Sequence, residues 1–171
     1  MKAELIRPLL LATTKVLDRL TSGPCIVGRP SVTKELRAST DSLDVIIRLS
    51  GSVDGAMILR FPQATAVEIV HVFHGTAWDG SNVSDGMAEI ARTIERVVRR
   101  QASEEGIWPA GPIVRLTPAN ASLELDDTPW LTSHVKSPVG GITFAVSLKQ
   151  VATQPAAQPA VAEHRVARPT P

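Results

Sequence analysis

The strongest constraint on the fold is the stretch at residues 82–101, NVSDGMAEIARTIERVVRRQ, where apolar and charged residues segregate at helical spacing. Val83, Met87, Ile90, Ile94, Val97 and Val98 gather on one side of a 3.6-residue period. A helix of this kind has an apolar face that water will not tolerate, so the chain must supply a core for it to lie on. Asp85, Glu89, Arg92, Arg96 and Arg99 recur at steps of four, three, four and three and line the opposite side, acidic first and basic last.

The plainest account of that row is the helix dipole, which favours acids near the N-terminus and bases near the C-terminus. Glu89 with Arg92 and Glu95 with Arg99 are also spaced to pair, each exposed pair being worth about 0.2–0.5 kcal/mol. A solvated face explains such a row by itself. A docking face for a charged partner is the sharper alternative.

A chain of 171 residues supports one domain with a full core rather than two. Its 18 Lys and Arg against 17 Asp and Glu leave a formal net charge of +1, and its aromatics are three Trp, three Phe and no Tyr. Neither a basic excess nor a set of stacking platforms is present, so no nucleic-acid partner is expected. Cys25 is the sole cysteine, which excludes an internal disulfide and any multi-thiolate metal site. The apolar run at residues 8–12 is flanked by Glu4, Arg7, Lys15 and Asp18 and is far too short to span a bilayer. It lacks a small-residue cleavage pattern, so neither signal peptide nor membrane anchor is expected and a cytoplasmic location is.

Residues 8–20 predict a helix opened by Pro8 in its first turn, with Leu9, Thr13, Val16 and Leu20 on one face and Leu10 and Leu17 beside them. A short strand is predicted at 25–27, and a hairpin pairs 44–50 with 56–61 through a link at 51–55 whose Asp54-Gly55 allows positive φ. Pro62 opens a second helix over 62–74, with Ala66, Val67, Val70 and Phe73 as its apolar face and Gly75 as its stop. A polar loop at 76–81 leads to the charged helix, with Asn82 or Ser84 as its cap. Strand-like runs follow at 112–117, 121–125, 134–138 and 142–149, the last two joined as a second hairpin by Val139-Gly140-Gly141. In the last run Ile142, Phe144, Val146 and Leu148 alternate with smaller or polar residues, as in a strand with one buried face. Helix, strands, two helices, strands is the order of an α+β domain: an antiparallel sheet with long helices packed on one face. The domain is expected over residues 1–149, and residues 150–171, rich in Ala, Pro and Gln without periodicity, are expected to be a disordered tail.

This arrangement resembles the CheX-like branch of the CheC/CheX/FliY phosphatases of bacterial chemotaxis. The resemblance rests on the opening helix with RPLLLAT, the hairpin IIRLSGSVDGAMILRF, the helix ending His74-Gly75, the helix at 85–101 and the distal SPVGGITFAVSL. The family's functional pair is a glutamate followed three residues later by an asparagine on an exposed helix face. Glu89 stands at the first position here and Arg92 at the second. The resemblance implies that the face carrying Asp85, Glu89, Arg92 and Arg96 docks on a phosphorylated, CheY-like receiver domain of a response regulator. There the asparagine amide positions the water that attacks the aspartyl phosphate, and the glutamate engages a receiver lysine. The receiver carries the Mg²⁺, so no cofactor of the chain's own is implied, and a homodimer built partly by joining sheet edges is.

Arg92 alters that chemistry, because a guanidinium has five donors and no acceptor and cannot take a hydrogen bond from the water as an amide does. It does bind phosphoryl oxygens in bidentate fashion, so contact with a phosphorylated receiver is expected with weak or no phosphatase activity. Two alternatives stand beside this: a non-catalytic dimeric scaffold, and an active aspartyl-phosphate phosphatase with a changed catalytic residue. No Glu-x-x-Asn occurs anywhere in the chain, Asn82 and Gln101 lie off the position, and Thr93 is short and one place off the row. His71 and His74 lack a third metal ligand of obvious spacing, Asp79 lying beyond a glycine, so no metal site is expected. Asp126 and Asp127 read as turn residues before Thr128-Pro129, and Cys25 as a small apolar residue rather than a nucleophile. No GxGxxG, Walker or GxSxG pattern is present.

Deleting residues 151–171 should leave the melting temperature nearly unchanged, since an Ala/Pro/Gln segment buries little apolar surface. A fall of several degrees in a thermal scan of the truncated chain counts against a dispensable tail.

Overall fold

Alternation along three long strands sorts the chain into layers. The computed structural model describes residues 3–75, 82–123 and 128–151. In chain order these form α1 (Ala3–Leu20), β1 (Ile26–Val27), β2 (Ser31–Thr33), β3 (Leu36–Arg37), β4 (Ser42–Gly51), β5 (Val53–Pro62), α2 (Gln63–His74) and α3 (Val83–Ala102). A 3₁₀ turn at Ser103–Glu105 leads to β6 (Ile107–Pro109), β7 (Ile113–Thr117), β8 (Ser122–Leu123), β9 (Trp130–Ser137) and β10 (Gly140–Gln150). Leu43, Val45, Ile47 and Leu49 of β4, Met57, Leu59 and Phe61 of β5, and Ile142, Phe144, Val146 and Leu148 of β10 share one buried cluster. Leu9, Val16 and Leu17 of α1, Ile69 and Val70 of α2, and Met87, Ile90, Ile94 and Val98 of α3 complete it. The three helices therefore cover one face of the sheet, the α+β layering expected of this sequence.

The main sheet runs β1-β9-β10-β5-β4-β6, with β2 also on β9 and β7 also on β4, and every pairing is antiparallel. Its other face is not left bare. β3 and β8 pair as a separate ribbon, and Leu36 of that ribbon packs with Ala56, Ile58, Trp130 and Ala145 in a second, smaller cluster.

Several boundaries differ from expectation, each for a local reason. α1 begins at Ala3, so Pro8 sits inside it rather than in its first turn. The hydrogen bond Pro8 forgoes is the one to the carbonyl of exposed Glu4, near the helix end, where its loss costs least. In the first hairpin the positive φ falls on Gly51 (φ 99°) and not on Gly55. Gly55 lies within β5, where an added Cβ would stand 2.0 Å from the Ser147 carbonyl oxygen, so it serves close approach of β10 instead. The second hairpin turns at Pro138-Val139, since Ser137 and Gly140 are already paired. β9 starts four residues before the predicted run, at Trp130. β10 runs past Lys149 to Gln150, and the Val151 N–H then donates to the Ser52 carbonyl at 3.2 Å. Asn82 holds the N-cap place of α3 with φ 48°, but its side chain caps no backbone N–H; its amide donates to the Asp85 carboxylate instead. The loop at 76–81 with Asp79, residues 124–127 with Asp126 and Asp127, and the tail beyond Val151 lie outside the described residues.

One polar cluster is built into the second face. Asp44 of β4 stands in register with Arg60 of β5, and Arg60 Nε and Nη2 donate to its two carboxylate oxygens at 2.8 Å each. Thr117 Oγ1 of β7 donates to the same carboxylate at 2.8 Å, and Arg60 Nη1 reaches the Leu36 carbonyl of β3 at 3.4 Å. The two charged side chains are 0% and 6% exposed, so neither is solvated, and each depends on the other. Asp44→Ala should cost about 3–5 kcal/mol in urea unfolding, because it strands a buried guanidinium, whereas Asp44→Leu with Arg60→Met should cost far less. Equal losses from the single and the double change would show that packing rather than charge accounts for the effect.

Candidate docking face on α3

α3 is seated by Gly86, Met87, Ile90, Ala91, Ile94, Val98 and Ala102, all buried. Gly86 matters because an added Cβ would stand 2.5 Å from Val70 Cγ1 of α2, so the two helices meet where only hydrogen fits. Seating this stripe turns Asp85, Glu89, Arg92, Arg96 and Arg99 outward, and all five are exposed. The four candidate partner-binding residues, Asp85, Glu89, Arg92 and Arg96, thus share one helix surface, with Val83 and Val97 half-buried at its margins.

The pairing within the row is only partly the expected one. Glu95 and Arg99 pair at 2.5 Å, and Arg99 Nη2 also donates to the Pro109 carbonyl at 2.8 Å, which ties Arg99 to β6. Glu89 does not pair with Arg92. Its Oε2 lies 3.7 Å from His74 Nε2, at the end of α2, with side-chain exposures of 55% and 27%. Among the described residues Arg92 and Arg96 make no ion pair, so two guanidinium groups face outward uncommitted. Thr93 Oγ1 donates to the Glu89 carbonyl one turn back at 3.1 Å, a backbone role for the hydroxyl.

His74 is the residue that sequence reasoning did not bring to the site. Periodicity places it at the end of α2, but only the crossing of α2 and α3 at Val70 and Gly86 brings its ring toward Glu89. Its ring meets the Phe73 ring edge-on, with centroids 4.8 Å apart and planes at 84°. Phe73 is 38% exposed, so apolar surface adjoins His74. His71 and His74 join no group of three or more metal-ligating side chains among the described residues.

Cys25 lies away from this face. Its thiol is half-buried, 3.6 Å from Thr21 Oγ1, and its N–H donates to Asp18 Oδ1 at 2.6 Å. Burial pushes the thiol above its ordinary range, which disfavours the thiolate and agrees with a packing role. Among the described residues no helix is long and apolar enough to cross a membrane.

No family model matches the sequence, and no curated protein does. Solved structures match the fold. The chemotaxis protein CheX of Desulfovibrio desulfuricans superposes with a TM-score of 0.72 at 21% identity, covering 85% of this chain and 99% of that one. CheX of Vibrio vulnificus gives a TM-score of 0.72 at 22% identity over 86% and 100% of the two chains. A Borrelia burgdorferi CheX–CheY–BeF₃–Mg²⁺ complex matches with a TM-score of 0.60 at 18% identity over 87% and 100%. The chain has the fold of the CheX-like chemotaxis proteins.

Proposed function

We propose that the chain is a cytoplasmic CheX-like signalling domain that contacts the phosphorylated receiver domain of a response regulator through Asp85, Glu89, Arg92 and Arg96. The observation that carries this reading is the outward, uncommitted pair of guanidinium groups at Arg92 and Arg96 on the same helix surface as Glu89. An arginine that has no internal partner is free to bind phosphoryl oxygens in bidentate fashion. Exposed Phe73 beside His74 adds some of the apolar area that a protein interface needs in addition to charge. The Borrelia burgdorferi protein of this fold supports the reading, since its complex holds CheY with BeF₃, a phosphoryl mimic, and Mg²⁺. The metal on this proposal is the receiver's. Hydrolysis by way of residue 92 is weak or absent, because the arginine has no acceptor to give the water.

Assembly belongs to the same proposal. β7 lies at the edge of the sheet on β4 and exposes Ile113 at 57% and Leu116 at 63%, and an edge of this kind offers unpaired backbone groups together with apolar area to a second copy. A homodimer joined along that edge follows, and a dimeric scaffold without receiver contact is the reading left if docking fails. Light scattering at micromolar concentration should give twice the chain mass. A monomer mass removes the dimer from the proposal.

Receiver contact is tested by titrating the wild type, Glu89→Ala and Arg92→Ala against receiver domains of the same organism, with and without beryllofluoride and Mg²⁺. Losing one partner of a desolvated, charge-assisted contact should cost about 2–5 kcal/mol of binding in each variant. If the row is merely solvated, both changes leave association untouched and stability within about 0.5 kcal/mol.

A further inference from the structure

We propose that His74 orients the attacking water at this site, supplying the acceptor that Arg92 cannot, and that Glu89 positions His74. The inference rests on the receiver-docking reading and adds a catalytic residue to it. No side chain on this part of α3 offers both a free donor and a free acceptor, as a carboxamide does: Arg92 only donates, the Asp85 and Glu89 carboxylates only accept, and Thr93 gives its proton to the Glu89 carbonyl. A side chain able to both donate and accept comes from the neighbouring helix. His74 Nε2 stands 3.7 Å from Glu89 Oε2, a loose contact of the kind that tightens when a partner closes over a site. The tautomer with Nε2–H directed at Glu89 keeps a lone pair on Nδ1, which is the chemistry a carboxamide oxygen offers to water. The Phe73 ring edge-on against the imidazole and the Gly86–Val70 contact limit where the ring can go.

The reaction balances without any group beyond the docked receiver. The water oxygen forms its bond to phosphorus as the bond from phosphorus to the receiver's aspartyl oxygen breaks, with that electron pair returning to the receiver carboxylate. One water proton passes to Nδ1 and then to solvent, leaving inorganic phosphate. Arg92 in this arrangement holds equatorial phosphoryl oxygens, the role its donors suit. Glu89 is a positioning residue through His74, and its second oxygen remains available to the receiver.

The test uses the full chain with receivers of the same organism, phosphorylated by acetyl phosphate for rates and carrying beryllofluoride and Mg²⁺ for affinity. The wild type should speed loss of the phosphoryl group. His74→Ala should lower the limiting rate constant at saturating protein at least 10-fold while the half-saturating concentration changes less than twofold. His74→Gln, which keeps both an acceptor and a donor, should recover much of the rate, an outcome that a purely structural role would not give. Glu89→Gln should lower the limiting rate in the same direction. The proposal is overturned if His74→Ala is as fast as wild type, if the loss lies wholly in half-saturation, or if the wild type binds a receiver without speeding its dephosphorylation. A wild type that binds no receiver overturns the docking reading and this one with it. Circular dichroism and a melting curve on each variant establish that the comparison is made between folded proteins.

Discussion

Burial of one stripe on α3 decides where every charged side chain of the candidate face is found. Met87, Ile90, Ile94 and Val98 are fully buried against the sheet and the other helices, and each such side chain contributes about 1.5–3 kcal/mol. The half-exposed pair of Glu95 with Arg99 contributes about 1 kcal/mol or less. Rotation of the helix about its axis is thus set by its apolar side, and the charged row follows as a geometric consequence. That is why the row can be spent on a partner: the fold does not need it. Arg99 is the exception, since it also bonds the Pro109 carbonyl and so belongs to the fold as much as to the surface.

The sheet below α3 is held from both sides by different physics. On the helix side dispersion and the hydrophobic effect dominate, and the buried hydroxyls of Thr13 and Thr21 bond carbonyls of α1, those of Leu9 and Leu17. On the other side Asp44 and Arg60 join β4 to β5, and Thr117 and the Leu36 carbonyl extend the network to β7 and β3. A buried ion pair adds little net stability over an apolar pair, but mismatched registers strand its charges, so it favours one alignment of strands over others. β7 is short and exposes Ile113 on one face and Leu116 on the other, so alternation alone would align it weakly. The carboxylate gives it a fixed place.

How much of this the sequence discloses follows the length of its patterns. α3 and the alternation of Ile142, Phe144, Val146 and Leu148 are legible because each repeats its period several times. β2, β3 and β6 are two or three residues long, too short to carry a period, and exist only through their partners on β9, β8 and β4. The outward row was legible as a row, since exposure on a helix follows from spacing. The partner of Glu89 was not. Spacing offered Arg92 three residues on, and the chain instead brings His74 from another helix, a contact between residues 74 and 89 that no local rule encodes. Asp44 and Arg60 read as ordinary members of a hairpin, and only their register across β4 and β5 shows them as a pair.

Gly86 gives the two halves of the candidate site a common origin. It touches neither Glu89 nor His74 in sequence, yet the distance between α2 and α3 is set where Val70 fills the space a side chain would need. Any larger residue there would act as a wedge, widening the gap between the helices along with every span measured across it. A small-residue contact in the core therefore works as a spacer whose thickness is read out one turn away on the surface. Related chains that kept both Glu89 and His74 but thickened this spacer would carry the same two functional groups out of reach of each other.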